Sequence, residues 1–345
     1  MKMKESLFGK TPDELIQIAV ENNLPRFTGK QVADWLYKKD TPSIEAMTNL
    51  SKKARGILSE KYNIGLIAPT KVQESTDGTK KYLFATGNGN FIETAMIPEK
   101  DRVTVCVSSQ VGCKMGCLFC MTAKQGFTGQ LTAGEIVNQV KSIREANKVT
   151  NIVYMGMGEP FDNLGEVLKS IEIFTAEWGF AMSPKRITVS SIGIIPGMLS
   201  FLEESNAHLA ISLHTPFDEE RQRLMPVQST YPIREVIKEI RNRQFGRQRK
   251  VSFEYILFKG LNDTPLHVKE LARLLNGLKC RLNLIRFHPI PGTPLRGSDD
   301  ATLFEFKDML NGKGIFTTIR GSRGQDIYAA CGLLSTKNME GGRHN

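Results

Sequence analysis

The stretch RVTVCVSSQVGCKMGCLFC, residues 102–120, sets the reading of the whole chain. Its first half alternates β-branched and small residues and predicts a strand, RVTVCVSS, in the 103–110 region. Directly after it come Cys113, Cys117 and Cys120 at the spacing C-x3-C-x2-C. At i, i+4 and i+7 the three thiols could share one helical face. Gly112 and Gly116 interrupt that face, so a tight glycine loop around a bound object fits better. A closed zinc site takes four ligands, often as paired Cys-x-x-Cys, and no fourth ligand lies close by. Structural thiols, a metal site and a reactive centre all stay open at this point.

Downstream, strands and helices alternate. NIVYM (151–155), RITVSS (186–191), HLAISL (208–213), VSFEYIL (251–257) and RLNLIRF (281–287) read as strands. Amphipathic stretches such as LTAGEIVNQVKSIREAN and NLGEVLKSIEIFTAEW separate them, and Thr132 with Glu135 forms a capping box. Six strands with intervening helices predict an α/β fold with a parallel sheet, in layers or curled into a barrel. Its functional site is expected beyond the carboxyl ends of the strands. Upstream, the first 65 or so residues read as helical. Thr11-Pro12-Asp13-Glu14 is a capping box, and Thr28-Gly29-Lys30-Gln31 repeats the pattern before VADWLY. Residues 70–98 change to strands joined by Asp-Gly and Gly-Asn-Gly turns, with Pro98 and the charged EKDR as a boundary. The expected organisation is a helical accessory domain over 1–68, a β-hairpin extension over 69–101, a core over 102–335 and a tail over 336–345.

Composition narrows the class. The 345 residues are 24% charged and 40% hydrophobic, an ordinary globular mix. No apolar run reaches the ~18 residues of a membrane span, and the first residues lack the apolar segment of a secretory signal. A cytoplasmic protein is expected. In that reducing compartment six cysteines do not make a disulfide framework. The net charge of +10 suits a polyanionic partner. Lys238, Arg241, Arg243, Arg247, Arg249 and Lys250 concentrate it in KEIRNRQFGRQRK, which reads as a solvated helix face. Arg320 and Arg323 flank the loop leading to Cys331, and such arginines suit phosphate.

The spacing C-x3-C-x2-C, with Phe119 before the last cysteine, resembles the radical S-adenosylmethionine superfamily. The resemblance implies one 4Fe–4S cluster on Cys113, Cys117 and Cys120, with the remaining iron open to S-adenosylmethionine. It also implies a partial (βα)6 barrel carrying the helical accessory domain and the hairpin extension. Polar and glycine positions at strand ends would then cradle the cofactor: Gly158 and Glu159 in GMGEP, Ser190, and Ser212, Leu213 and His214 in SLH. His288 stands in RFHPIPG where relatives carry an asparagine that contacts the cofactor. Taken singly, each of these reads as an ordinary turn, cap or strand-end residue.

Taken together, CVSSQVGCKMGCLFCMTAKQGFTG, GMGEP, SLH and RGSRGQDIYAACG resemble one family, as do RFTGKQVADWLYKKD and MTNLSKKAR. That family is the dual-specificity 23S rRNA and tRNA adenine C2 methyltransferases. The likeness runs from about residue 5 to about residue 335. It implies two molecules of S-adenosylmethionine per turnover, one methylating Cys331 and one yielding a 5′-deoxyadenosyl radical that abstracts hydrogen from the S-methyl group. It further implies that Glu93 accepts the C2 proton and that Cys106 resolves the adduct through a transient disulfide with Cys331. Cys280 reads as a buried strand thiol with no role. A flavodoxin- or ferredoxin-type reductant and a monomeric state complete the expectation. Two alternatives stay open: C8 methylation within the same family, and a non-catalytic RNA-binding protein with a structural metal.

Overall fold

The computed structural model describes residues 4–39, 41–243, 245 and 250–336. Arg247 and Arg249 of the basic run, and residues 337–345 of the tail, lie outside them. At the amino terminus, β1 (Glu5–Ser6) pairs in parallel with β2 (Tyr62–Asn63) around α1 (Pro12–Glu21), α2 (Arg26–Tyr37) and α3 (Lys52–Lys61). Thr11 and Glu14 form the expected reciprocal cap on α1. The second expected cap is different. Pro25 occupies the N-cap of α2 with φ −58, so the helix starts at Arg26 and Thr28 lies buried within its first turn. Proline's fixed φ initiates the helix there, two residues ahead of the hydroxyl. Tyr37 meets Trp178 edge-on at 5.4 Å, and Lys169 reaches Glu14 at 2.6 Å, so these helices pack onto the core.

The strands β3 (Lys71–Glu74), β4 (Lys80–Ala85) and β5 (Phe91–Glu99) run antiparallel and continue into β6 (Arg102–Cys106). Pro98 sits within β5 opposite Val103, and the charged EKDR stretch is a hairpin turn inside one sheet. After β6 come β7 (Gln110–Gly112), α4 (Met121–Gln125) and β8 (Phe127–Gln130). The regular alternation then follows: α5 (Ala133–Lys141), β9 (Asn151–Tyr154), α6 (Leu164–Thr175), β10 (Ile187–Ser191), α7 (Ile195–Glu204) and β11 (His208–Ser212). It closes with α8 (Asp218–Leu224), α9 (Ile233–Arg241), β12 (Val251–Leu257), α10 (Pro265–Leu275), β13 (Cys280–Arg286), α11 (Asp300–Gly312) and β14 (Thr317–Ile319).

One 10-stranded sheet orders these as β14-β13-β12-β11-β10-β9-β6-β5-β4-β3. Within this sheet the pairings from β6 to β14 are all parallel and follow chain order, with no reversal of the kind that creates a doubly wound crevice, while β7 and β8 form a separate antiparallel pair. All six expected core strands are present, and β14 adds a further parallel strand at the edge. Strands buried on both faces read as near-continuous apolar runs, and β12 is the clearest, with only Ser252 partly exposed. The loops leaving the carboxyl ends of β6, β9, β10, β11, β13 and β14 carry the chemistry-bearing side chains.

Candidate functional site

Cys113, Cys117 and Cys120 lie in an irregular loop between β7 and α4, as the two glycines require. The loop is held by Cys113 N–H on Gly126 O at 3.0 Å and by Leu118 N–H on Leu224 O at 2.9 Å. Phe119 anchors it, 4.8 Å edge-on from His214 and 5.8 Å from Phe258. Cys113 and Cys117 are buried, and Cys120 is half-buried at the N-cap of α4. Burial, reinforced by the neighbouring thiols, pushes Cys113 up to about 12 and raises Cys117 well above the usual thiol range. Ionising Cys113 and Cys117 therefore needs a strongly cationic group beside them, which is what coordination to iron supplies. Among the described residues no three His, Cys, Asp or Glu side chains converge closely enough for a single metal ion. Thiolates that bind different irons of one cluster stand farther apart than the ligands of one ion. The donor set fits a three-cysteine cluster.

The strand-end residues fall into two groups. Gly158 has φ +101, and a Cβ there would stand 2.5 Å from the Cβ of Gln110, so the GMGEP loop lies hard against β7. Ser190, the penultimate residue of β10, and Ser212, the last of β11, are half-buried. The other residues are engaged with the protein itself. The carboxylate of Glu159 accepts from Phe161 N–H and Ile192 N–H, both at 3.0 Å, and burial raises it to about 7. Leu213 is fully buried. His214 Nδ1 accepts from Ile256 N–H at 3.0 Å, and burial beside Arg221 lowers its pKa to about 3, so the ring is neutral. His288 Nε2 meets Ser322 Oγ at 3.0 Å and ties the end of β13 to the carboxyl-terminal loop.

Cys106 ends β6, buried among Ala95 and Ala329. Burial, with the nearby Cys331 thiol, pushes it up to about 12, while the Arg320 guanidinium opposes the shift. Cys331 is exposed. Its loop is fastened to α4 by Met121 N–H on Gly332 O at 2.8 Å and Thr122 Oγ1 on Leu334 O at 2.7 Å. All six cysteines are free thiols. Glu93, in the middle of β5, is fully buried. Lys81 Nζ stands 2.9 Å from Glu93 Oε1, and Ser335 N–H donates to Oε2 at 2.9 Å. Burial raises its pKa, and Lys81 opposes that shift.

Three buried groups were not singled out in the sequence. Lys81 is the partner of Glu93. Arg221 is fully buried and donates to Leu213 O, Ser212 O, Ile192 O and Gln228 Oε1 at 2.7 to 3.2 Å, joining the ends of β10 and β11 behind the cysteine loop. Glu254, on β12, accepts from Asn283 Nδ2 at 2.8 Å and faces Arg320 Nη1 at 3.4 Å. Arg320 is thereby turned inward to Glu254 and Met155 Sδ, and away from the phosphate role expected of it. Of the described residues in the basic run, Arg243 pairs with Glu203 and Arg241 donates to Leu274 O and Asn276 O. A lysine, arginine or glutamate within a mixed-polarity run gives no sign of burial until its strand partners are known.

Parallel strands in chain order, with a three-cysteine loop after the first of them, define a radical S-adenosylmethionine enzyme. Residues 107–275 match the radical SAM superfamily, and residues 6–64 match the ribosomal RNA large subunit methyltransferase N-terminal domain. A probable dual-specificity RNA methyltransferase RlmN of Phocaeicola vulgatus is 54% identical over 98% of this chain and 97% of its own length. The corresponding protein of Parabacteroides distasonis is 55% identical over 97% of this chain and 98% of its own, and that of Nitratiruptor is 44% identical over 91% and 94%. A radical SAM methyltransferase crystal structure from Sphaerobacter thermophilus superposes with a TM-score of 0.87 at 39% identity, covering 96% of this chain and 99% of that one. The chain belongs to the RlmN family of dual-specificity RNA methyltransferases. Membership implies a 4Fe–4S cluster and S-adenosylmethionine. It removes the non-catalytic alternative. Among the described residues no helix is long and apolar enough to cross a membrane.

Proposed function

We infer that the protein methylates C2 of an adenine in 23S rRNA and in tRNA, carrying the incoming carbon on Cys331. One observation carries this reading. The exposed Cys331 thiol sits on a loop fastened on one side to the helix leaving the cysteine loop, while its other side packs on Cys106 through Ala329. A thiol open to ligands is thus held near both a metal loop and a second thiol.

In this reading Cys113, Cys117 and Cys120 hold one cluster, and Gly158, Ser190 and Ser212 line the cofactor. Glu159, Leu213, His214 and His288 support that lining, since their side chains are packed or hydrogen-bonded to the protein. When bound, the cluster and two molecules of S-adenosylmethionine supply the methyl group and the hydrogen-abstracting radical. The problem they solve is that adenine C2 offers no nucleophilic lone pair. Cys331 takes the methyl as a thioether, and its carbon forms the bond to C2. Glu93 accepts the C2 proton, a task suited to a carboxylate with raised proton affinity. The adduct also returns the one electron that the reducing system supplied. The Cys106 thiolate then attacks the Cys331 sulfur; the sulfur–carbon electron pair stays with the carbon, which takes up a proton and becomes the methyl group, and the two sulfurs are left as a disulfide. Attack requires the thiolate, which burial disfavours and Arg320 favours. A two-electron reduction, by a flavodoxin- or ferredoxin-type system, restores both thiols.

The net charge of +10 supports an RNA partner. The helical domain over 1–68 and the hairpins over 69–101 are the proposed grips on folded RNA, beside the core over 102–335. A cytoplasmic monomer fits six free thiols. The test is nucleoside analysis. Reconstituted protein, S-adenosylmethionine, a reductant and unmodified 23S rRNA or tRNA are incubated anaerobically, and the digests are compared with 2-methyladenosine and 8-methyladenosine standards. Loss of a 2-methyladenosine product in Cys331→Ala supports the reading; 8-methyladenosine, or no methylated base, overturns the assigned carbon.

A further inference from the structure

The Asp77-Gly78 turn between β3 and β4 does more than reverse the chain. One oxygen of Asp77, Oδ1, accepts from Thr79 N–H at 2.9 Å and builds the turn. The other, Oδ2, accepts from Gly324 N–H at 2.9 Å, on the loop that leads to Cys331. From that loop Asp326 reaches back. Its Oδ1 accepts from Ser75 Oγ at 2.5 Å and its Oδ2 from Thr76 N–H at 3.2 Å. Ser75 Oγ accepts in turn from Asp77 N–H at 3.3 Å, so the two carboxylates share one network. These hydrogen bonds hold both carboxyls below their ordinary range, Asp77 at about 2, so the network is ionic at neutral pH.

The network bears on the thiols through Gly324. A Cβ there would stand 2.8 Å from both Thr79 Cγ2 and Ala329 Cβ, so the turn, Gly324 and Ala329 stack without a gap. Ala329 N–H donates to Gly324 O at 2.8 Å, and the Ala329 side chain packs on Cys106. A continuous run of contacts therefore leads from the Ser75–Thr79 turn through Ala329, two residues before Cys331, to Cys106.

We propose that Ser75, Asp77 and Asp326 are positioning residues for the thiol chemistry: they latch the carboxyl-terminal loop so that Cys331 stays within reach of Cys106. The proposal rests on the pairing of these two thiols in the proposed reaction. Holding reacting groups together raises their effective concentration, and releasing one end of a loop lowers it.

Asp77→Asn is a selective probe, because Asn-Gly still forms the turn and keeps one acceptor for Thr79, but places an N–H against Gly324 N–H. Asp326→Ala removes the reciprocal pair, and Asp326→Asn restores one acceptor. Cluster-loaded full-length protein would be treated anaerobically with diamide, which takes two electrons and two protons from two thiols. The Cys106–Cys331 disulfide would be quantified against time by peptide mass spectrometry. Disulfide formation roughly ten-fold slower in Asp77→Asn and Asp326→Ala, with partial recovery in Asp326→Asn, is expected. Iron content, melting temperature and alkylation of the already exposed Cys331 should stay at wild-type levels, and turnover should lose kcat with KM unchanged. Rates within two-fold of wild type in both variants overturn the latch. Rates that fall only together with iron content or melting temperature overturn it as well, in favour of a general folding role. Wild-type protein that forms no Cys106–Cys331 disulfide while Cys331 still alkylates overturns the thiol pairing, and the latch with it.

Discussion

Replacing Lys81 with methionine isolates a buried charge pair at the heart of the site. Lys81 and Glu93 face each other across β4 and β5, with their side chains 3% and 0% exposed and their charged atoms 2.9 Å apart. In Lys81→Met the Glu93 carboxylate keeps only the Ser335 N–H. Removing one partner of a buried pair costs about 3–5 kcal/mol, because the other charge is left unpaired. At roughly 2–4 °C per kcal/mol, and less in a chain this long, the melting temperature should fall by ~5–15 °C. The sign of the pH dependence follows from burial, which raises Glu93, and from Lys81, which opposes the rise. Between the ordinary carboxylate value and the raised one, the native state holds a proton that the unfolded state has lost, so stability falls as pH rises through that window. Losing Lys81 raises Glu93 further and widens the window. The deficit of Lys81→Met should therefore be largest on the alkaline side of that window and shrink as pH falls toward the ordinary carboxylate range, where a protonated Glu93 needs no cation. Anaerobic calorimetry of the full chain across that range measures it. The double variant Lys81→Met/Glu93→Gln should recover more than half the loss. A deficit under ~1 kcal/mol, or one that does not change with pH, refutes the buried pair as the dominant interaction.

Other substitutions follow from the same geometry. Arg221→Met takes their Arg221 hydrogen bonds from Ile192 O and Ser212 O, while Leu213 O keeps Thr215 N–H and Gln228 Oε1 keeps Ile233 N–H; at about 1–3 kcal/mol per unsatisfied acceptor, a loss above ~2 kcal/mol and reduced iron content are expected from chemical denaturation and iron assay. Arg221→Lys should recover little, since a single ammonium cannot reach acceptors spread over two strand ends. Gly158→Ala forces a Cβ to 2.5 Å from Gln110 at φ +101, and should cost about 1–3 kcal/mol together with S-adenosylmethionine affinity, read by calorimetric titration. Cys106→Ala should leave the base tethered to Cys331, giving a denaturant-resistant protein–RNA band that disappears in Cys106→Ala/Cys331→Ala.

The parallel strands were legible because each is an apolar run bounded by turn residues, and the Thr11 and Thr132 caps because reciprocal capping is local chemistry. Local signals fail where the determinant is distant. β14 has only three residues and gains its identity from pairing with β13, not from any periodicity of its own. Pro98 reads as a boundary, but opposite Val103 near a strand end it is accommodated within the sheet. Glu93 in a hairpin reads as surface decoration. Only the register of β4 against β5, which sets Leu83 opposite Glu93, and the return of Ser335 from the far end of the chain make it a buried, paired carboxylate. The Asp77-Gly78 turn was legible as a turn, whereas the distant groups that bind it and its flank, Gly324 N–H on Asp77 and Asp326 on Thr76, lie some 250 residues away.

That distance carries a physical lesson about Cys331. Fixing a loop costs roughly 1–2 kcal/mol of backbone entropy per residue, so an exposed segment is held only if contacts on both sides offset the cost. Before Cys331, Gly324 and Asp326 are bound to the β3–β4 turn, and Ala329 packs on Cys106. After it, Gly332, Leu334 and Ser335 are bound to Met121, Thr122 and Glu93. The thiol between these anchors remains open to solvent. In the proposed reaction the carrier first accepts a methyl group and then meets both a base and a resolving thiol, which needs this combination: an ordered backbone, so that each encounter is short-range, and an unburied sulfur. The anchors come from the hairpin strands and from the helix after the cysteine loop, so the antiparallel extension of the sheet belongs to the proposed reactive centre as well as to the proposed RNA surface.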